Sequence, residues 1–123
     1  MAKLCISSTG TDLEASVDPR FGRCQYFLFV DTETMNFQCV GNPAFTAGGG
    51  AGIQAAQLAV NKGADVILTG DVGPNAFQAL QAGVVKIVTG AQGSIKGAIE
   101  RFHKGELGYT GAPSVESHAG MRR

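Results

Sequence analysis

The chain has 123 residues, of which 44% are hydrophobic, so it can build one domain with a real core and is too apolar for wholesale disorder. Ten Lys and Arg balance ten Asp and Glu, and this zero net charge argues against a nucleic-acid coat or a polybasic membrane surface. The longest strictly apolar run, residues 26–30, is too short to span a bilayer. Only three apolar residues follow Lys3 before two serines, which is too few for a signal peptide. We therefore expect a cytoplasmic protein that binds neither nucleic acid nor membranes.

Apolar runs separated by turn residues predict five strands, taken here in chain order. The first covers residues 3–8 and is followed by a polar loop over residues 9–22. Residues 25–31 and 36–40 form the second and third strands, and the short turn between them predicts an antiparallel hairpin. The continuous apolar runs at residues 65–69 and 84–88 predict two further strands that are buried on both faces.

Three helices are predicted between and after these strands. The first runs from about residue 50 to residue 61, and the second covers residues 74–81 with Pro74 at its start. The third begins after the capping residue Ser94 and ends before Gly105, with apolar residues spaced at i, i+3, i+4 and i+7. Two successive strand–helix units imply parallel strands. We expect a single α/β domain over residues 1–107, whose mixed five-stranded sheet consists of parallel strands with an antiparallel hairpin at one edge. The loose polar stretch begins near Glu106, and we expect residues 108–123 to form a flexible C-terminal tail.

The predicted carboxyl ends of the parallel strands collect hydroxyl and glycine residues, and ligands of open α/β sheets bind at such an edge. Two predicted helices begin nearby, and helix N-termini offer free N–H groups and a positive dipole end to an anion. The alternative is that these glycines only make tight turns. The candidate binding residues are Gly49, Gly50, Gly52, Thr69, Gly70, Asp71, Gly73 and Asn75.

A second candidate segment lies just before the second strand. It contains Arg20, Gly22, Arg23 and Cys24, and its two guanidinium groups can hold an anion as paired forks. Adjacent arginines lower a thiol pKa, so we expect Cys24 to be a thiolate able to bind a metal. The alternative is a turn with two solvated arginines and a cysteine at the strand edge.

The other two cysteines, Cys5 and Cys39, are expected to be small core residues. No pair of cysteines has the CxxC spacing, which excludes a zinc finger or a thioredoxin-type motif.

Three enzyme readings fit the sequence poorly. Residues 50–55 match the G-x-G-x-x-A dinucleotide fingerprint, but Pro43 and several more residues separate them from the preceding strand, and a dinucleotide site needs these glycines directly at a strand end. Asp71 is the single acid at the predicted rim, so a two-metal hydrolase site is not indicated. His103 and His118 lie late on a helix and in the tail, so no Ser/His/acid set is indicated.

Three segments together resemble the dinitrogenase iron–molybdenum cofactor biosynthesis family. They are DPRFGRCQYFLFVD at residues 18–31, NPAFTAGGGAGIQAAQLA at residues 42–59 and GADVILTGDVGPNAFQAL at residues 63–80. The resemblance covers about residues 1–107. It implies a small stand-alone member with a ribonuclease-H-like fold and no nuclease chemistry.

The resemblance also implies a non-enzymatic carrier that binds an iron–sulfur or iron–molybdenum-type cluster, or its precursor, and works with metallocluster assembly proteins. In the nitrogen-fixation members a histidine in the loop that matches RFGR is associated with cofactor binding. This chain has Arg20 and Arg23 there, which leaves charge pairing with an anionic cluster or ligation by Cys24. A binding module for a phosphate-bearing small molecule and a ligand-free scaffold for a protein partner are the alternatives.

Overall fold

The computed structural model describes residues 2–45 and 50–113. Its strands are Lys3–Ser8 (β1), Tyr26–Asp31 (β2), Phe37–Gly41 (β3), Val66–Leu68 (β4) and Lys86–Val88 (β5). They form one five-stranded sheet in the order β3-β2-β1-β4-β5. The strand β2 pairs antiparallel with both β1 and β3, whereas β4 pairs parallel with β1 and β5. The predicted mixed sheet with an antiparallel hairpin is therefore confirmed.

The helices are Ala51–Asn61 (α1), Pro74–Ala82 (α2) and Ile95–His103 (α3), close to the predicted bounds. The strand β5 is shorter than predicted, because Val84 and Val85 serve to end α2. Their N–H groups donate to the carbonyls of Gln81 and Leu80, at 2.9 and 3.0 Å, in the pattern that closes a helix with a left-handed residue. Val84 has that left-handed conformation, with φ of 61°.

The sheet is covered on both faces, as the sequence pattern requires. Neighbouring residues of a strand point to opposite faces, so Cys5 joins the core under α1 and α2 while Leu4 and Ile6 join the core under α3. The first core contains the β2 residues Phe27 and Phe29 and a run of buried alanines from α1. These small residues let α1 lie close to its neighbours.

The segment after α3 is attached to the sheet edge. Tyr109 bridges antiparallel to Val88, and the Thr110 N–H donates to the Ile87 carbonyl at 2.6 Å. The Thr110 hydroxyl also lies 2.8 Å from the Thr89 hydroxyl. The expectation of a loose tail beginning near Glu106 is therefore wrong at Tyr109 and Thr110, because backbone pairing with β5 holds them. The remainder of the predicted tail, residues 114–123, lies outside the described residues.

Within the described residues, none of the helices has the length and apolar character needed to cross a membrane.

Candidate functional site

The polar loop before β2 lies directly against the end of β4. Arg20 and Asp71 form a parallel bridge, in which the Asp71 N–H donates to the Pro19 carbonyl at 2.7 Å and the Phe21 N–H donates to the Asp71 carbonyl at 3.3 Å. A Cβ at Gly70 would lie 2.6 Å from the Pro19 Cα, a distance that real Cβ atoms do not reach. Glycine at position 70 is thus what lets the loop dock on the strand end.

The same loop also touches the start of α1. A Cβ at Gly22 would lie 2.9 Å from the Gly52 Cα and 3.0 Å from the Gly52 nitrogen, and a Cβ at Gly52 would lie 3.2 Å from the Ala76 Cβ in α2. The loop, the start of α1 and the first turn of α2 therefore meet at one point. The structure places side by side the three segments that the sequence marks as candidates, and their close approach depends on glycine at position 22 and favours it at position 52.

Two helix N-termini at this point lack side-chain caps. The N-cap residues are Gly50 in α1 and Gly73 in α2, neither helix has a side-chain cap hydrogen bond, and neither first turn contains an acidic residue. By contrast, Ser94 caps α3 by accepting a hydrogen bond from the Gly97 N–H at 3.0 Å. The first N–H groups of a helix have no partner within the helix, so α1 and α2 both direct donors and positive dipole ends to the rim. Asn75 is exposed in the first turn of α2.

The side chain of Arg20 adds a positive charge to this rim. It is 64% exposed, and its Nε lies 3.4 Å from the Oδ1 of Asp18. The same Oδ1 accepts a hydrogen bond from the Arg20 N–H at 2.9 Å, so the nearly buried Asp18 orients the guanidinium and the loop together. Arg23 is exposed in the same turn. The carboxylate of Asp18 and the exposed carboxylate of Asp71 are the opposing charges at the rim.

Thr69 does not face the rim. It is fully buried, and its hydroxyl lies 2.6 Å from that of Ser7. The Ser7 hydroxyl donates to the Asp18 carbonyl at 2.7 Å, so the Thr69 hydroxyl donates to Ser7. Thr69 therefore stabilises the loop from beneath and is too deep to contact a ligand.

Cys24 differs most from the sequence prediction. Its side chain is fully buried, and its Sγ donates to the Phe21 carbonyl at 3.3 Å. Burial, with a smaller contribution from Asp18, raises the pKa of the Cys24 thiol to about 12, and the opposing effect of Arg20 is weaker. The expected thiolate is therefore wrong for this geometry, because desolvation exceeds the attraction of a guanidinium that lies largely in solvent. In this position Cys24 is a buried, protonated thiol that is hydrogen-bonded to the loop backbone.

Asn42 is a structural residue that sequence reasoning did not select. Its buried Nδ2 donates to the carbonyls of Gly22 and Cys24, at 3.2 and 2.8 Å, and its Oδ1 accepts from the Ala44 N–H at 2.9 Å. One amide thus fastens the loop to the end of β3. The Asn-Pro pair after a predicted strand is the signal that marks such a turn.

The remaining candidates lie away from the rim or outside the described residues. Cys5 is buried in the core as predicted, whereas Cys39 is only partly buried, on β3. His103 is exposed in the last turn of α3, and Gly49 and His118 are not among the described residues. Within residues 2–45 and 50–113, no three His, Cys, Asp or Glu side chains lie close enough together to hold a metal ion. The described rim therefore offers guanidinium groups and N–H donors and no set of metal-ligating side chains.

The fold is that of a small α/β protein whose parallel strands end at a rim with two helix N-termini and the Arg20 guanidinium. A family model described as dinitrogenase iron–molybdenum cofactor matches residues 2–105, and the chain belongs to this family. This membership points to a cofactor-related binding or carrier role rather than to catalysis.

Solved structures and a curated protein are similar to the chain over most of its length. The apo form of the orange protein from Desulfovibrio gigas is 42% identical, with a TM-score of 0.89, over 93% of this chain and 97% of that one. A Thermotoga protein provisionally assigned as NifB is 38% identical, with a TM-score of 0.77, over 89% and 93% of the two chains. An uncharacterised protein from Methanocaldococcus jannaschii is 29% identical over 94 residues, which are 74% of this chain and 80% of that protein. The solved structures confirm the α/β fold with its five-stranded sheet, whereas the ribonuclease-H-like designation stays a prediction.

Proposed function

We propose that the chain binds and carries an anionic metal–sulfur cluster, related to the iron–molybdenum cofactor or its precursors, at the rim formed by the loop of residues 18–24 and the starts of α1 and α2. The observation that carries this proposal is the convergence of two helix N-termini without side-chain caps or acidic first-turn residues. Family membership supplies the class of ligand. The similarity to a protein solved in an apo form supports a role in binding a separable group.

The chemistry of the rim favours binding by charge and hydrogen bonds over coordination by side chains. Sulfide ligands of a cluster accept hydrogen bonds from backbone N–H groups, and the helix dipoles favour negative charge at the same place. The exposed guanidinium of Arg20 adds a fork of donors. A cluster held in this way keeps its own ligand shell, which suits a carrier that must pass it on. Proteins that assemble metalloclusters are the corresponding partners.

The test is reconstitution of the anaerobically purified protein with isolated iron–molybdenum cofactor, followed by gel filtration and iron analysis of the protein fraction. Arg20→Ala is expected to lower the retained iron severalfold, and the loss should grow with salt because the guanidinium is largely exposed. The matched control is Lys104→Ala, which removes an exposed cation at the far end of α3 and should leave retention unchanged.

Cys24→Ser separates charge binding from thiolate ligation. The buried Cys24 sulfur is not exposed at the rim, so this variant should retain about as much iron as the parent. A loss of more than about tenfold would show that the thiol moves out to ligate the cluster, since a hydroxyl does not replace a thiolate. If the parent retains no iron and instead binds inorganic pyrophosphate in an Arg20-dependent way, the rim serves a phosphate-bearing ligand.

A further inference from the structure

The residue that closes α2 combines a strained backbone conformation with an exposed apolar side chain. Val84 has a φ of 61°. This backbone conformation is unfavourable for L residues with a side chain, and most unfavourable for β-branched residues such as valine. Its side chain is 87% exposed, so it contributes almost nothing to the core. The equivalent positions after α1 and α3 are Gly63 and Gly105, with φ of 79° and 77°. The chain thus places an exposed valine where its other two described helices use glycine.

Val84 borders a groove along the outer side of β5. The groove has a volume of about 480 Å³ and is lined by Phe77, Gln81, Val84, Val85, Lys86, Ile87, Tyr109 and Thr110. Phe77, Val85 and Ile87 are buried and give it an apolar floor. The helix α2 begins at the candidate cluster site and runs antiparallel to its strands, so its last turn and this groove lie towards the opposite end of the sheet.

The other border of the groove is a second exposed apolar residue on a fixed backbone. The Tyr109 ring is 60% exposed, although its backbone pairs with Val88. The Nζ of Lys86 lies 5.4 Å from the centre of this ring, which orients both side chains. An exposed aromatic that is already immobilised loses little conformational entropy when a partner covers it.

Charge decides what kind of partner fits this groove. Lys86 is the one charged residue among the eight that line it. The groove therefore has a positive charge at its border and an apolar floor. We infer that the groove binds a protein segment that inserts an apolar side chain beside an acidic one. Val84 and Tyr109 cover the apolar side chain, and Lys86 pairs with the acid. This interaction surface is separate from the proposed cluster site.

The test is an NMR titration of the full chain with a capped ELFE peptide, with capped KLFK as the matched peptide. Backbone signals of the lining residues should shift with the acidic peptide, which should bind at least about tenfold more tightly than the basic one. Lys86→Glu should reverse this preference. No shift at the lining residues, or equal affinity for the two peptides, would overturn the inference.

Val84→Gly gives a test that loss of folding cannot explain, because glycine relieves the strain while removing the exposed side chain. It should weaken the acidic peptide severalfold, and Tyr109→Ala should do the same. The matched control Phe37→Ala removes an exposed aromatic on β3, at the other edge of the sheet, and should leave affinity unchanged. Unchanged affinity in Val84→Gly would overturn the inference.

Two other occupants give results that would also overturn the assignment. Tighter peptide binding by a chain that ends at Pro113 would show that the groove belongs to residues 114–123 of the same chain. Shifts of the lining residues with protein concentration alone, without peptide, would show that a second copy occupies it.

Discussion

Replacing Val84 by glycine is expected to make this protein more stable, although it removes an apolar side chain. A non-glycine residue in the left-handed region costs about 1–3 kcal/mol, and Val84 has a φ of 61°. Glycine relieves that cost but makes the unfolded chain more flexible, and this flexibility lowers the free energy of unfolding by about 0.4–1 kcal/mol. The hydrophobic loss is small because the side chain is almost entirely in solvent. The net gain is on the order of 1 kcal/mol, which corresponds to about 4 °C in melting temperature for a domain of this size.

The assay is equilibrium urea unfolding together with a thermal scan, both followed by circular dichroism. The urea midpoint should rise while the slope stays the same, because the area buried on folding does not change. The reciprocal variant Gly105→Val provides the control. It introduces valine at a φ of 77° with open space around its Cβ, so it should lower stability by a similar amount. A Val84→Gly protein that is equal to or less stable than the parent would refute the reasoning.

Three further predictions follow from the packing described above. Gly22→Ala should destabilise the fold by about 1–3 kcal/mol in urea unfolding, because its Cβ meets the Gly52 backbone at 2.9 Å, whereas Gly41→Ala, with nothing within 4 Å, should be neutral. The Cys24 thiol, with its pKa of about 12, keeps a proton that the unfolded chain releases above about pH 8.5. Its contribution to stability is therefore full below that pH and is lost as the pH rises towards 12. Cys24→Ser should flatten this alkaline decline in urea midpoints, and an unchanged decline would contradict the burial of the thiol. Removing residues 113–123 should leave the melting temperature nearly unchanged, and a fall of many degrees would mean that this segment is docked.

The candidate site could be located from the sequence but not described in detail. Gly22, Gly52 and Gly70 stood out only as glycines near predicted element ends, and their pairing with one another and with Pro19 depends on how the loop folds back over the sheet. Cys24 shows most clearly what the sequence does not predict. Proximity to two arginines in sequence predicts a thiolate, but the turn directs its sulfur to the Phe21 carbonyl, inside the core.

The sequence by itself determined the sheet, its helices and the general position of the rim. Apolar runs, turn residues and the short link between β2 and β3 are local signals, and local signals specify elements and the direction of their connections. Only the tertiary structure decided which way Cys24 points, that Asn42 fastens the loop, that Tyr109 pairs with β5 and that Val84 rather than Gly83 takes the left-handed position. Gly83 is needed elsewhere, because a Cβ there would lie 2.5 Å from a methyl group of Val60 on α1. Each of these outcomes depends on contacts between segments far apart in the chain, so burial and steric fit decide them and no local pattern records them.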